Sequence, residues 1–223
     1  MAGTIMHLVI ADRLLDKLSI KNPALFYCGN LAPDAIMNRV GYTRDMKRHT
    51  HFKDGIRLHE VRQPSCYTTY RARFQKFYED MVNPSDPQYE LYLGYTVHML
   101  VDELYILHYR DQFCDKLIAE GRPVDDETFW PMFAKEVDLV DFELSRTYKF
   151  HYPMPDILLT EQNYEIPGWI TAKELTDSKN FIIKKTFETE HQDQKLSIMN
   201  MEKNLEFIEL CVKEIPEMLK KME

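Results

Sequence analysis

Residues 94–111, GYTVHMLVDELYILHYRD, constrain the fold more than any other part of the chain. At about 100° per residue, Val97, Leu100, Val101, Leu104 and Leu107 fall on one helical stripe that must be covered. His98 and Asp102, four apart, share a second face with Leu91, Gly94, Tyr95, Tyr105 and Tyr109. That face is also too apolar for open water, so the segment predicts a central helix covered on two sides that carries an imidazole and a carboxylate inward. A carboxylate buried there needs a partner, because burying it unpaired is too costly.

The rest of the sequence supplies the helices that such a segment needs around it. Residues 4–18 put Leu8, Ala11, Leu14, Leu15 and Leu18 at core spacing, with a stop before Asn22-Pro23, and His7 lies on their apolar side. Residues 29–55, with Gly29, Pro33, Gly41 and Gly55, predict loops and short turns, and loops of that length in a compact domain tend to be functional. Helical patterns resume at 65–82, run from 88 to 120 with a stop at Gly121, and return at 125–148 behind the acidic Asp125, Asp126 and Glu127. Residues 150–170 carry Pro153, Pro155, Pro167 and Gly168 and predict irregular chain; from about 195 a last helix follows, kinked or ended by Pro216. With only 7 glycines and 44% hydrophobic side chains in 223 residues, the expectation is an all-α multi-helix bundle forming one domain over residues 1–223.

Charge and cysteine usage narrow the function. The net charge of −8 argues against a stable nucleic-acid partner. Residues 39–76 nevertheless hold ten basic against three acidic side chains, a local +7 that suits either an anionic substrate or a solvated face. Cys28, Cys66, Cys114 and Cys211 form no C-x-x-C pair, which fits a reducing compartment. The N-terminal run has no basic lead and no stretch is apolar for about 18 residues, so a cytoplasmic chain without a transmembrane segment is expected. Glycines are too few for dinucleotide or P-loop phosphate sites, G-x-S-x-G is absent, and His59-Glu60 fails as a zincin motif because position 63 is Gln.

What remains is a set of histidines and aspartates. His98 and Asp102 stand one turn apart on a helix face, which is how helical bundles build metal sites, although such a pair also arises by chance. Its company gives it weight: His7, Asp34 in GNLAPD, and His49 and His51 in HTHF. Asp34 also suits a helix N-cap, His7 a packed core histidine, and His49 and His51 a solvated basic loop.

In that order, His7, Asp34, His51 and the run Gly94, His98, Asp102 resemble the bacterial zinc-dependent phospholipase C family, which is related in fold to fungal zinc-dependent single-strand nucleases. The resemblance implies a metal site between the N-terminal helix, a loop and the long central helix, with His7, Asp34, His51, His98 and Asp102 as ligands. His51 is preferred to His49 because the family's loop histidine directly precedes Phe. The chain departs from the family in having nothing before His7 at the distance of an N-terminal amine ligand, so one or two zinc ions are expected, with manganese or iron as substitutes. ELYIL also lacks the family's proline, and a continuous helix turns His108 roughly 120° from Asp102, toward the aliphatic stripe. His151 is a remote candidate; His59 and His191 read as surface residues.

The activity implied is hydrolysis of a small phosphoester with a metal-activated hydroxide as nucleophile, Asp102 bridging two ions and Asp34 acting as ligand or as a base that orients water. Tyr95 and Tyr105 share the ligand face and suit either a phosphate contact or core packing. The competing reading is a helical scaffold or regulatory protein that retains a structural metal site. A closed ligand shell would distinguish it from a catalytic site with an open position.

Overall fold

The computed structural model describes residues 2–122, 129–160, 164–191 and 195–223, and among them every regular element is helical. The centre is made of α1 (Thr4–Leu14), α2 (Pro23–Ala35) and α5 (Tyr89–Leu104), each buried on nearly every side. Helices with one apolar stripe cover them: α4 (Pro64–Met81) turns Tyr70, Phe74 and Phe77 inward, and α10 (Met201–Lys220) turns Phe207, Ile208, Cys211 and Ile215 inward. The short α3 (Arg44–Thr50), α6 (Asp111–Ala119), α7 (Phe129–Thr147), α8 (Met154–Thr160) and α9 (Ala172–Ile182) complete the array.

The loop reading of residues 29–55 is corrected by α2 and α3. Asn22 caps α2 by accepting from the Leu25 amide at 3.1 Å, Pro23 opens it, and Pro33 lies inside it near its end. Gly29 is there because α2 and α5 touch backbone to backbone. A Cβ on Gly29 would stand 1.9 Å from the Leu91 carbonyl oxygen, and one on Gly94 would stand 2.2 Å from the Phe26 carbonyl oxygen. Residues that read as breakers therefore mark the closest helix crossing in the molecule's centre.

Other boundaries also shift. α1 ends at Leu14 and a turn through Ser19, at φ 53°, carries the chain to Asn22. The long helix expected over 88–120 widens by one residue at Tyr105–Tyr109, where the Arg110 amide donates to the Tyr105 carbonyl at 2.8 Å. The acidic run Asp125–Glu127 lies outside the described residues. α8 and a turn closed between Ile166 and Ile170 occupy much of the stretch expected to be irregular. α9 was not anticipated, although Thr171 and Glu174 form a reciprocal capping box at its start. α10 runs through Pro216 to Lys220 and does not end there.

Buried carboxylates tie the layers. Asp12 accepts from the Tyr27 hydroxyl at 2.5 Å, the Tyr148 hydroxyl at 2.7 Å and His151 Nδ1 at 2.8 Å, joining α1, α2 and the α7–α8 connection. Glu103 on α5 accepts from the Tyr67 hydroxyl at 2.6 Å and from Arg71 at 2.7 Å, joining α4. No helix among the described residues is long and apolar enough to cross a membrane.

Gly29→Ala tests the central crossing. Overpacking of this kind costs about 1–3 kcal/mol, and better helix propensity returns at most about 1. A lower urea midpoint with an unchanged slope is expected; an unchanged midpoint would mean that α2 and α5 are not in backbone contact.

Candidate metal centre

The α2–α5 crossing sets the floor of the site. It brings the Asn30 carbonyl within 2.8 Å of His98 Nδ1, so that nitrogen carries the proton and Nε2 keeps its lone pair. His98 Nε2 then faces Asp102, one turn on along α5, at 3.9 Å. α1 crosses above with His7, whose ring stacks on His98 with centroids 3.9 Å apart and whose Nε2 lies 3.5 Å from Asp102. Asp34 comes from the last turn of α2 and is not a helix N-cap.

His51 arrives by a local device. It caps the C-terminus of α3, where the Phe52 amide donates to the His49 carbonyl at 3.0 Å and the Lys53 amide to the Arg48 carbonyl at 2.8 Å. The residue between, Phe52, has φ 58°, a conformation glycine usually supplies. His51 Nδ1 donates to the Lys47 carbonyl at 2.8 Å, and Nε2 reaches Asp34 at 3.2 Å and Asp102 at 3.6 Å. The expected loop is thus a short helix and its cap.

All five expected residues are brought together, in two overlapping groups: His7, His98 and Asp102, and Asp34, His51 and His98. Asp102 has no exposure, and neither of its oxygens nor His98 Nε2 makes a hydrogen bond. Around a tetrahedral zinc with bonds of ~2.0–2.1 Å, ligand atoms stand about 3.3 Å apart. The imidazole-to-carboxylate separations here, 3.2 to 3.9 Å, are of that size, and the donor set of imidazole and carboxylate suits zinc.

Electrostatics favour the metal-binding forms. Burial pushes His51 and His98 below the ordinary imidazole range, His98 far below it with His7 alongside. Burial pushes the Asp102 carboxyl up, but His7, Lys53 and His98 outweigh it and hold it well below the usual range. Asp34 is likewise held low, by Lys47 at 2.7 Å and by His51, against its burial. Burial lowers Lys53 despite its attraction to Asp102.

The other candidates are elsewhere. His49 is half-exposed, stacks on Trp169 and pairs with Asp54 at 3.1 Å. The widened turn leaves His108 exposed to solvent, away from both the cluster and the aliphatic stripe. His151 serves Asp12, and His191 is stacked on Phe142 at 3.4 Å, so it is less peripheral than expected. Tyr95 donates to the Thr50 carbonyl and packs on Phe77, and Tyr105 packs on Tyr109 and Phe207, so both serve the core.

A cleft of about 690 Å³ opens on the cluster at Asp34 and His51. Arg44, Lys47, Arg48 and Lys53 line it from α3 and its surroundings, while α7 and α9 supply an apolar wall with Phe133, Val137, Phe142, Phe181 and Ile182, on which Lys185 lies over the Phe142 and Phe181 rings, paired with Asp138 at 2.6 Å. Sequence reasoning found the basic segment but missed the apolar wall, which comes from α7 and α9. It also missed Asp141 on α7, whose two oxygens accept from the Ile5 and Met6 amides at 3.1 Å each and so fix the start of α1 and the height of His7. A separation of 136 residues leaves no local signal for that contact.

A family model described as zinc-dependent phospholipase C matches residues 6–135, which include all five clustered residues. No curated protein and no solved structure matches the chain.

Asp141 makes the start of α1 sensitive to pH. Burial pushes its carboxyl up to about 7, against the pull of the two amides. The folded form therefore holds a proton that the unfolded form releases above the ordinary value of 3.8, so stability from this group falls as pH rises between those limits. In urea titrations at several pH values, the stability of wild type minus that of Asp141→Asn is expected to decline from pH 4 to 7 and level off beyond. A difference independent of pH would refute the assignment.

Proposed function

The chain belongs to the zinc-dependent phospholipase C family, and we propose that it is a metal-dependent phosphoester hydrolase whose metal is held by His7, Asp34, His51, His98 and Asp102. The observation that carries this reading is the fully buried Asp102, unbonded at both oxygens and faced by three imidazoles. His98 has one free lone pair, since its Nδ1 is committed to Asn30, so it serves a single ion. Asp102 has two open oxygens and would hold metal together with His7 and His98. Bound zinc supplies Lewis acidity toward phosphoryl oxygens and acidifies water.

The remaining steps fall to the chain's own side chains. Lys47 holds Asp34 at the edge of the cleft, in position to serve as a ligand or to orient water. Arg44, Arg48 and Lys53 offset phosphate charge along the cationic wall. The family supports a lipid-type phosphoester, and the apolar wall supports a substrate whose phosphate is joined to an apolar group. A small soluble phosphoester would occupy the cationic half alone. Buried apolar side chains of α1, α2 and α4 through α10 join in one cluster, which supports a single domain, and four cysteines scattered along the sequence with no C-x-x-C pair support a reducing compartment such as the cytoplasm.

Elemental analysis of protein purified without affinity histidines is expected to find zinc, and zinc is expected to raise the melting temperature. His98→Ala should lose most of the bound metal and that melting gain, while His108→Ala retains both. Cleavage of bis-p-nitrophenyl phosphate should be abolished by a chelator, restored by zinc, reduced about 100-fold or more in His98→Ala, and weakened by salt. Full metal occupancy in His98→Ala would sink the ligand assignment; metal without cleavage of any phosphoester would favour a structural site.

A further inference from the structure

A second cavity, of about 200 Å³, also borders the cluster. His7 and His98 line it and the larger cleft does not reach them; Thr4, Asp34, Met37, Phe181 and Ile182 line both. The two spaces therefore adjoin at Asp34 and those four neighbours, and both border the imidazole and carboxylate cluster.

Their chemistry is opposite. The cleft has five basic side chains, whereas no lysine or arginine among the described residues lines the inner cavity. Its polar lining is neutral, from Thr4, Asn30, Asn38 and Ser178, apart from the imidazoles and from Asp34, which Lys47 already pairs. Asn30 is fully buried, and its side-chain oxygen makes no hydrogen bond, although its amide donates to the Gly94 carbonyl at 3.4 Å. An acceptor buried in this way is destabilising unless a donor meets it. The cavity amounts to about seven waters at ~30 Å³ each, room for a small polar group.

We propose that this inner cavity receives the polar substituent of the phosphoester, and that this substituent is an uncharged, hydroxyl-bearing group of the polyol class. The inference rests on the reading of the cluster as a phosphoester site. A phosphate seated at the cluster has its charge facing the cationic wall, its apolar substituent along Phe133, Val137 and Phe181, and its polar substituent beyond Asp34. Hydroxyls there donate to the Asn30 side-chain oxygen and accept from Ser178 and Thr4. A quaternary ammonium group is disfavoured, because among the described residues Phe181 is the one aromatic side chain other than histidine lining the cavity, and the carboxylate that lines it, Asp34, is paired with Lys47. An anionic group is disfavoured by the lack of basic residues.

Two independent readouts test this. In saturation-transfer NMR on the full chain, myo-inositol and glycerol are expected to receive transfer and choline is not. Ser178→Leu, which fills the cavity, should weaken myo-inositol binding at least tenfold with metal content retained; Asn38→Leu on the half-exposed turn after α2 serves if Ser178→Leu fails to fold. In hydrolysis, p-nitrophenyl myo-inositol phosphate should exceed p-nitrophenyl phosphorylcholine at least tenfold in kcat/KM, and Ser178→Leu should erase that preference. Absence of transfer to either polyol, transfer unchanged in the filled variants, or equal or better cleavage of the choline ester would each overturn the proposal. Failure to cleave either ester with zinc bound, alongside polyol binding that the variants abolish, would instead sink the hydrolase reading and leave the cavity assignment standing.

Discussion

A carboxylate with no solvent exposure and no hydrogen bond organises this molecule. Removing an ion from water costs several kcal/mol even after relaxation, so Asp102 is tolerable only among groups that return that energy. Its neighbours are three imidazoles and the buried Lys53, delivered by α1, α3, α5 and the turn after α3. Imidazoles at 3.5 to 3.9 Å are too distant to bond it directly, but they stand at the separation that a shared metal ion imposes. The architecture is intelligible as the means of bringing those elements to one point.

Preorganisation is achieved with backbone groups. Asn30 and Lys47 each offer a carbonyl to one imidazole Nδ1, which fixes the tautomer and aims Nε2 inward. The first of these contacts exists because Gly29 and Gly94 let two helices approach without side chains between them. Asp141 performs a related service for His7 by holding the first turn of α1, two residues before it. Burial completes the arrangement, since it keeps His51 and His98 neutral and ready to ligate at ordinary pH.

The sequence made some of this legible for clear physical reasons. The 94–111 helix was readable because two apolar faces and a buried polar pair leave few alternatives, and the five-residue set was readable from its order along the chain. Asp34 and His51 were misplaced onto loops because Gly29 and Pro33 ordinarily end helices. Distinguishing a breaker from a crossing glycine requires knowing what lies opposite. His108 escaped the aliphatic stripe because a one-residue widening of a helix has no composition signature. The apolar wall on α7 and α9, the pin at Asp141 and the inner cavity all depend on contacts between distant segments, which no local pattern encodes.

Phe52 shows why the region around His51 is rigid where a basic surface loop was expected. A left-handed backbone costs a bulky residue roughly 1–2 kcal/mol, which glycine at that position would avoid. The side chain offsets this strain: it is almost fully buried against Phe74, Phe77, Tyr95 and Trp169, in ring contacts from 5.1 to 6.0 Å. Aromatic packing on one residue therefore fixes its two neighbours, with His51 directed at Asp34 and Asp102 and Lys53 buried beside the same cluster. Phe following the histidine is thus a mechanical part of the centre: it converts burial energy into the orientation of an imidazole and of a cation, and ties both to α4 and α5.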